Sequence, residues 1–321
     1  MTSPTSPSGR RIGRLVEELG EHGLLLDGSE PWHGLAAAEL DYAMRPTVHE
    51  RRVPSYGALV APTRPIAHWA PIAQIGVAER PTDHTPTADA RRYADGIVSW
   101  LVRPLDGDDA WAVFDRPAGS ERDLVVLAEA AGAVIVQRHP SGAVRLAGPF
   151  GVYRWDGLDW HHEPLVSTWI DAVSACAEHG DREVVETMLE FAVHDLGARG
   201  IGATLVYRFD AALCASYDDR LSTPPPLEIT QPSDLAPLRH VLAQVDGAAL
   251  FDERGTLRRI GVRLVPSPAA ERDITGIGGT RHTSGRRYSH DDPGATVIVV
   301  SEDGPVTVLR AGEILGASAP T

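Results

Sequence analysis

Apolar positions fall into two regimes along the chain. In the second half they are strongly periodic. Between 183 and 196, Val184, Val185, Met188, Leu189, Ala192, Val193 and Leu196 recur at the spacing of one helical face, and Gly197 stands where such a helix would stop. The runs at 201–207, 245–251, 257–265 and 296–300 have the length and β-branched content of sheet strands, and 306–310 is expected to add an edge strand. A helix is expected at 234–244, a turn at 252–255 and a surface loop at Pro224-Pro225-Pro226. Strands mixed with helices predict an α/β (mixed α+β) domain from about 165 onward, a central mixed sheet flanked by helices.

The first half is less regular. Helices are expected at 12–22 and 88–101, with a looser stretch rich in Pro, His and Arg at 61–89. Residues 110–160 read as strands and hairpins: 133–136 and 143–146 flank His139-Pro140-Ser141-Gly142, and 151–155 and 158–162 flank Asp156-Gly157. A length of 321 residues suits two domains. The expected division is a flexible Ser/Thr/Pro-rich tail at 1–11, an N-terminal α/β domain of unknown type at 12–164, and the second domain at 165–321. In the first of these domains, Trp155 and Trp160 beside His161-His162-Glu163 are a candidate ligand surface, although adjacent histidines on a strand face opposite ways and pair poorly on a metal.

Composition narrows the function. With 43% hydrophobic and 23% charged residues, the chain has the material for ordinary cores. All 30 basic residues are arginine, so mechanisms that need a lysine are excluded, from the P-loop to Schiff-base chemistry. The net charge of −14 argues against broad binding to nucleic acid or anionic membranes. Two cysteines, Cys176 and Cys214, fit a reducing compartment, and no apolar run reaches membrane length, so a cytoplasmic location is expected.

Against that acidic background, 258–287 carries seven arginines and two acids, Glu271 and Asp273, a local balance of +5 suited to a polyanionic small ligand. Within it, Gly278-Gly279-Thr280-Arg281-His282-Thr283-Ser284-Gly285-Arg286-Arg287 reads as a glycine/arginine loop whose amides, hydroxyls and guanidinium groups can face one phosphate chain. Upstream, Asp246-Gly247-Ala248 sets a carboxylate at a strand start beside small residues that would admit a flat base or a ribose. Downstream, Ser301-Glu302-Asp303 ends a strand with a hydroxyl and two acids, a common way to hold Mg²⁺ or Mn²⁺ against phosphate oxygens.

The order Asp246-Gly247-Ala248, Leu264-Val265-Pro266 with Pro268, Gly279-Thr280-Arg281-His282 and a strand ending in Ser301-Glu302 resembles the diadenylate cyclase domain, over about half the chain. The family's Asp-Gly-Ala element is intact, whereas its Arg-His-Arg element reads Arg281-His282-Thr283 here. The resemblance implies condensation of two ATP molecules into cyclic di-AMP with release of pyrophosphate, across a face-to-face pair of domains in a homo-oligomer. It implies catalytic roles for Asp246, Arg281 and His282, and nucleotide contacts from Gly247, Ala248, Leu264, Gly279, Thr280, Thr283, Ser284 and Ser301. Asp246 and Glu302 would hold Mg²⁺ or Mn²⁺, and Arg286 and Arg287 are candidates to reach the same phosphates. Residues 12–164 would then regulate or oligomerise. Thr283 leaves one alternative open, a catalytically weak nucleotide- or cyclic-dinucleotide-binding sensor. A histidine-based hydrolase finds no support, since no His-Glu-x-x-His spacing occurs among the 13 histidines.

Overall fold

The computed structural model describes residues 7–46, 53–163, 165–175, 182–208, 215–276, 278–302 and 305–318. Cys176, Cys214, Asp303 and the first six residues of the expected tail lie outside the described residues. The chain divides into two compact units, Met1–Leu165 and Val166–Thr321. Both are mixed α+β.

In the first unit, α1 (Pro7–Glu21) begins inside the stretch expected as a tail. Pro7 takes its first position, where a missing N–H is no loss. Then come α2 (His33–Met44), β1 (Tyr56–Val60), α3 (Ile66–Ile72), β2 (Val77–Pro81) and α4 (Thr87–Ala90). The helix expected at 88–101 stops there, apart from one tight turn at Arg91–Tyr93. Asp95 Oδ1 accepts from the N–H groups of Ile97, Val98 and Ser99 at 2.8, 2.8 and 2.9 Å and turns the chain into β3 (Ser99–Arg103). After β4 (Ala110–Phe114) comes α5 (Glu121–Ala131), inside a stretch expected to be all strands. Its start is a capping box: Ser120 Oγ takes the Asp123 N–H at 3.2 Å while the Asp123 carboxylate takes the Ser120 N–H at 2.9 Å. The strands β5 (Val134–Arg138), β6 (Val144–Gly148), β7 (Gly151–Trp155) and β8 (Trp160–Glu163) then form the expected hairpins.

These eight strands make one sheet, ordered β2-β4-β3-β1-β5-β6-β7-β8, parallel only between β1 and β3. One face packs Tyr56 and Leu146 with Leu19 of α1 and Leu40 of α2, and the other packs Trp100 and Ile135 with Trp69 of α3 and Leu124 of α5. Two buried carboxylates are held by arginine pairs. Glu39 receives Arg91 at 2.7 Å, Arg103 and the Tyr56 hydroxyl; Glu121 receives Arg154 at 3.1 Å and Arg145 at 3.5 Å. A cavity of about 370 Å³ lies between α1 and α2, lined by Arg11, Arg14, Leu15, Glu18, Asp41, Met44 and Arg45.

The second unit opens with α6 (Ser167–Ala175) and α7 (Arg182–Glu190). The apolar stripe runs on through a wide turn at Phe191–Leu196 and a tight one at Gly197–Arg199, and the left-handed residue that ends the run is Gly200 (φ 65°) rather than Gly197 (φ −57°). Next are β9 (Ala203–Arg208), β10 (Ser216–Asp218), α8 (Pro232–Leu242), β11 (Ala248–Phe251) and β12 (Leu257–Val265). The unit closes with α9 (Pro268–Asp273), α10 (Thr280–Asp291), β13 (Ala295–Val300), β14 (Val306–Arg310) and β15 (Glu313–Ala317). The sheet order is β10-β12-β11-β9-β13-β14-β15, parallel only between β9 and β11. The strand expected at the edge, β14, is therefore interior, because β15 pairs with it. One face of the sheet is covered by α6, α7 and α8, the other by α10, whose Tyr288 is fully buried among Val206, Val262, Val297 and Leu309.

Candidate functional site

Strand register brings the separated motifs to one end of this sheet. Central β9 pairs Thr204 with Ala248 of parallel β11 and Ala203 with Val300 of antiparallel β13. Asp246 lies two residues before Ala248, Ser301 and Glu302 directly follow Val300, and Gly202 directly precedes Ala203, so all meet where β9 begins. The N-terminus of α10 arrives at the same end. Arg281 donates from Nη1 to Glu302 Oε1 at 3.0 Å and holds Nη2 3.8 Å from Asp246 Oδ1. The Asp246 and Glu302 side chains are 84% and 71% exposed, and that of Arg281 38%.

Two glycines make this approach possible. A Cβ on Gly202 would lie 2.5 Å from Arg281 Nη1 and 2.7 Å from Glu302 Cγ, so the bare backbone is where the guanidinium rests. Gly247 has φ +114°, and its Cβ would lie 2.7 Å from the Gly261 carbonyl carbon and 2.8 Å from the Val262 oxygen on β12. Its neighbour is thus protein backbone, not open space for a base, which corrects the reason expected from sequence. Ala248 and Leu264, expected at the nucleotide, are both buried in the cluster around Tyr288.

The expected glycine/arginine loop is largely helix. Gly279 is the N-cap residue of α10, and the Thr283 N–H donates to its carbonyl at 3.1 Å. The amides ahead of Thr283 have no carbonyl to take within the helix, and a helix start carries partial positive charge. His282 is half-buried, with Nε2 3.2 Å from Thr307 Oγ1; burial pulls its pKa below the ordinary histidine value and favours the neutral ring. The Thr283 side chain abuts Gly276, and Ser284 Oγ donates to the Arg281 carbonyl at 3.1 Å. Ser301, half-buried at the end of β13, donates its N–H to the Pro305 carbonyl at 2.9 Å.

Arg286 and Arg287 do not join the site. Arg286 donates to the carbonyls of Gly312 at 2.6 Å and Thr275 at 3.3 Å, and Arg287 to that of Ile274 at 3.4 Å. Arg258 binds Asp252, and Arg259 lies 3.3 Å from Asp219. Side chains turn by about 100° per residue along α10 and alternate faces along β12, so arginines close in sequence serve different neighbours, and the +5 segment is not one phosphate-facing surface. Among the described residues no group of three or more His, Cys, Asp or Glu side chains could hold a metal. Asp246 and Glu302 are a pair.

In the first unit the candidate ligand surface dissolves into structure. Trp160 is buried and donates Nε1–H to Glu18 at 2.9 Å; His161 lies 2.8 Å from Asp156, and His162 reaches the Phe150 carbonyl at 2.9 Å while stacking on Tyr153. The hydrogen bonds from Asp159 N–H, His161 and Leu158 N–H hold the Asp156 carboxyl well below its usual range.

Residues 190–314 match the family model described as DisA bacterial checkpoint controller nucleotide-binding, DAC. The second unit is a DAC domain. Residues 13–163 match a second model, described as probable sensor domain DACNK. A search of curated proteins found no match. Among solved structures, the DAC-bearing chain is similar to a hypothetical membrane spanning protein from Bacillus cereus, at 20% identity over 44% of this chain and 66% of that one, with a TM-score of 0.35. It is also similar to a double mutant of DacA from Staphylococcus aureus, at 18% identity over 43% of this chain and 87% of that one, with a TM-score of 0.27. Sequence reasoning missed Gly202, which no motif marks; its one signal was a second glycine two residues after Gly200, at a strand start.

Proposed function

We propose that the DAC domain condenses two ATP molecules into cyclic di-AMP, releasing two pyrophosphates, with two copies of the chain meeting face to face. The observation that carries this reading is the convergence of Asp246, Arg281 and Glu302 with the start of α10 at one open end of the sheet. In each half-reaction the ribose 3′-oxygen of one ATP forms a bond to the α-phosphorus of the other. The bond from that phosphorus to the bridging oxygen breaks, and pyrophosphate leaves with the electron pair. Asp246 takes the 3′-hydroxyl proton. Arg281 and the free amides of α10 offset charge on the phosphates, and neutral His282, backed by Thr307, adds a hydrogen bond without competing for protons. Thr280, Thr283, Ser284 and Ser301 line the phosphates in this reading, and Gly247 and Gly279 shape the backbone around them. The high exposure of Asp246 suits a site that a second copy completes.

Asp246 and Glu302 suit a divalent cation. Mg²⁺ and Mn²⁺ take one or two carboxylates and fill their remaining positions with phosphate oxygens and water. Bound there, the ion would supply charge neutralisation at the α-phosphate. The first unit takes the regulatory role in this reading, in keeping with its match to a probable sensor domain.

The test is incubation of the full chain with ATP and Mg²⁺ or Mn²⁺, followed by chromatography and mass spectrometry. Cyclic di-AMP appears with the wild type and is lost in Asp246→Asn. ATP binding without product under either metal would overturn the cyclase reading and favour a sensor, with Thr283 in place of the family arginine as its cause.

A further inference from the structure

The nucleotide site holds one of its own cations. Arg281 binds Glu302 at 3.0 Å and stands 3.8 Å from Asp246, so one guanidinium serves two carboxylates from the ends of two strands. Water could solvate either acid alone, since both are mostly exposed. The guanidinium is nonetheless seated rather than adrift: it lies against Gly202, whose absent Cβ leaves room for Nη1 and for Cζ, at 2.5 and 3.1 Å from where that atom would be. A guanidinium and a divalent cation draw on the same carboxylate oxygens. Both cannot hold this pair together.

We propose that Arg281 is the resident counter-cation of the site: in the absence of nucleotide it occupies Asp246 and Glu302 and keeps a free divalent cation from them. When phosphates reach the start of α10, the guanidinium has a second anion within its reach and yields the carboxylates. The chain is thereby guarded against loading with metal alone. This inference rests on reading Asp246 and Glu302 as the cation-holding pair of a nucleotidyltransferase.

The test uses the full chain without nucleotide. Mn²⁺ is titrated in, and the free ion is followed by its electron paramagnetic resonance signal. Arg281→Gln is expected to bind Mn²⁺ at least ~10-fold more tightly than the wild type, about 1.4 kcal/mol. That gain disappears when Asp246→Asn is added. Gly202→Ala is the second variant: its Cβ takes the seat of Nη1 and also meets Glu302 Cγ at 2.7 Å, but that side chain is 71% exposed and turns outward with its charge kept, so Mn²⁺ binding tightens in the same direction by a smaller factor. Circular dichroism reports whether each variant is folded, and Gly202→Ala decides if Arg281→Gln is not. Equal or weaker Mn²⁺ binding in the folded variants overturns the proposal. Absence of cyclic di-AMP from wild-type ATP turnover would instead sink the cyclase reading, an outcome the nucleotide-free titration does not depend on.

Discussion

Gly247→Ala separates two reasons for the glycine in the Asp-Gly-Ala element. The residue sits at φ +114°, where a side chain is strained by about 1–3 kcal/mol. An added Cβ would also meet the Gly261 carbon at 2.7 Å, the Val262 oxygen at 2.8 Å and the Gly261 oxygen at 2.9 Å. These are backbone atoms of β12, so no side chain can rotate away, and prising β11 from β12 adds an overpacking cost of about 1–3 kcal/mol. Together the two effects remove about 2–6 kcal/mol from the second unit. For a domain of this size each kcal/mol lowers the midpoint by roughly 2–4 °C, which places the fall at roughly 5–20 °C. Scanning calorimetry of the full chain measures it, with Gly202→Ala in parallel. In that control the new Cβ meets Arg281 and Glu302 side chains that can move, so its midpoint shifts by less than about 4 °C. If the glycine is there to admit a base, Gly247→Ala keeps the wild-type midpoint and raises only KM for ATP. A midpoint within about 2 °C of wild type would refute the packing argument.

Glu39→Gln removes the carboxylate that Arg91, Arg103 and Tyr56 share in a buried setting, leaving Arg91 without its counter-charge and Arg103 with Asp109 alone, 3.3 Å away. The first unit should lose about 3–5 kcal/mol, read as a lower denaturation midpoint, while Mn²⁺ binding by the second unit is unchanged. Burial depresses the pKa of His282 in the folded state, so the unfolded chain takes up a proton more readily as the pH falls through about 6.5. The stability contributed by the neutral ring is present above that pH and lost below it. His282→Gln should flatten the midpoint-against-pH curve on that acid side, and an unaltered curve would show that His282 does not cause it.

Much of the site could be read from sequence because its parts are strand ends and one short polar run, and strands announce themselves by apolar content. The runs at 201–207, 257–265 and 296–300 correspond to β9, β12 and β13, and a central strand with neighbours on both sides must gather the residues at its ends. What stayed hidden depends on local backbone hydrogen bonds. Three glycines and few apolar positions made 278–287 look like a loop, yet Gly279 is an N-cap residue and Gly285 packs against Val297, Val299 and Leu309 where a side chain would crowd the sheet. Likewise the alanine-rich α5 resembled strand until Ser120 and Asp123 are recognised as a reciprocal cap. Regular apolar spacing at 183–196 correctly marked a buried face, but the widened turn at Phe191–Leu196 moved its end from Gly197 to Gly200.

In a chain whose only permanently cationic side chain is arginine, charge density alone does not distinguish a scaffold from a site. Burial does. Glu39 and Glu121 are wholly enclosed and each is met by two arginines, so their ion pairs cannot exchange partners without exposing an uncompensated charge in the core. Arg286 and Arg287, both half-buried, are likewise committed, to main-chain carbonyls. At the start of β9 the balance is reversed: two exposed carboxylates share a single, partly exposed guanidinium. Water can stand in for any member of that trio, so releasing Arg281 costs little, whereas releasing Arg91 or Arg154 would unsettle a core. The same residue types thus hold the first unit together and leave the DAC site free to trade its internal cation for those that arrive with a nucleotide.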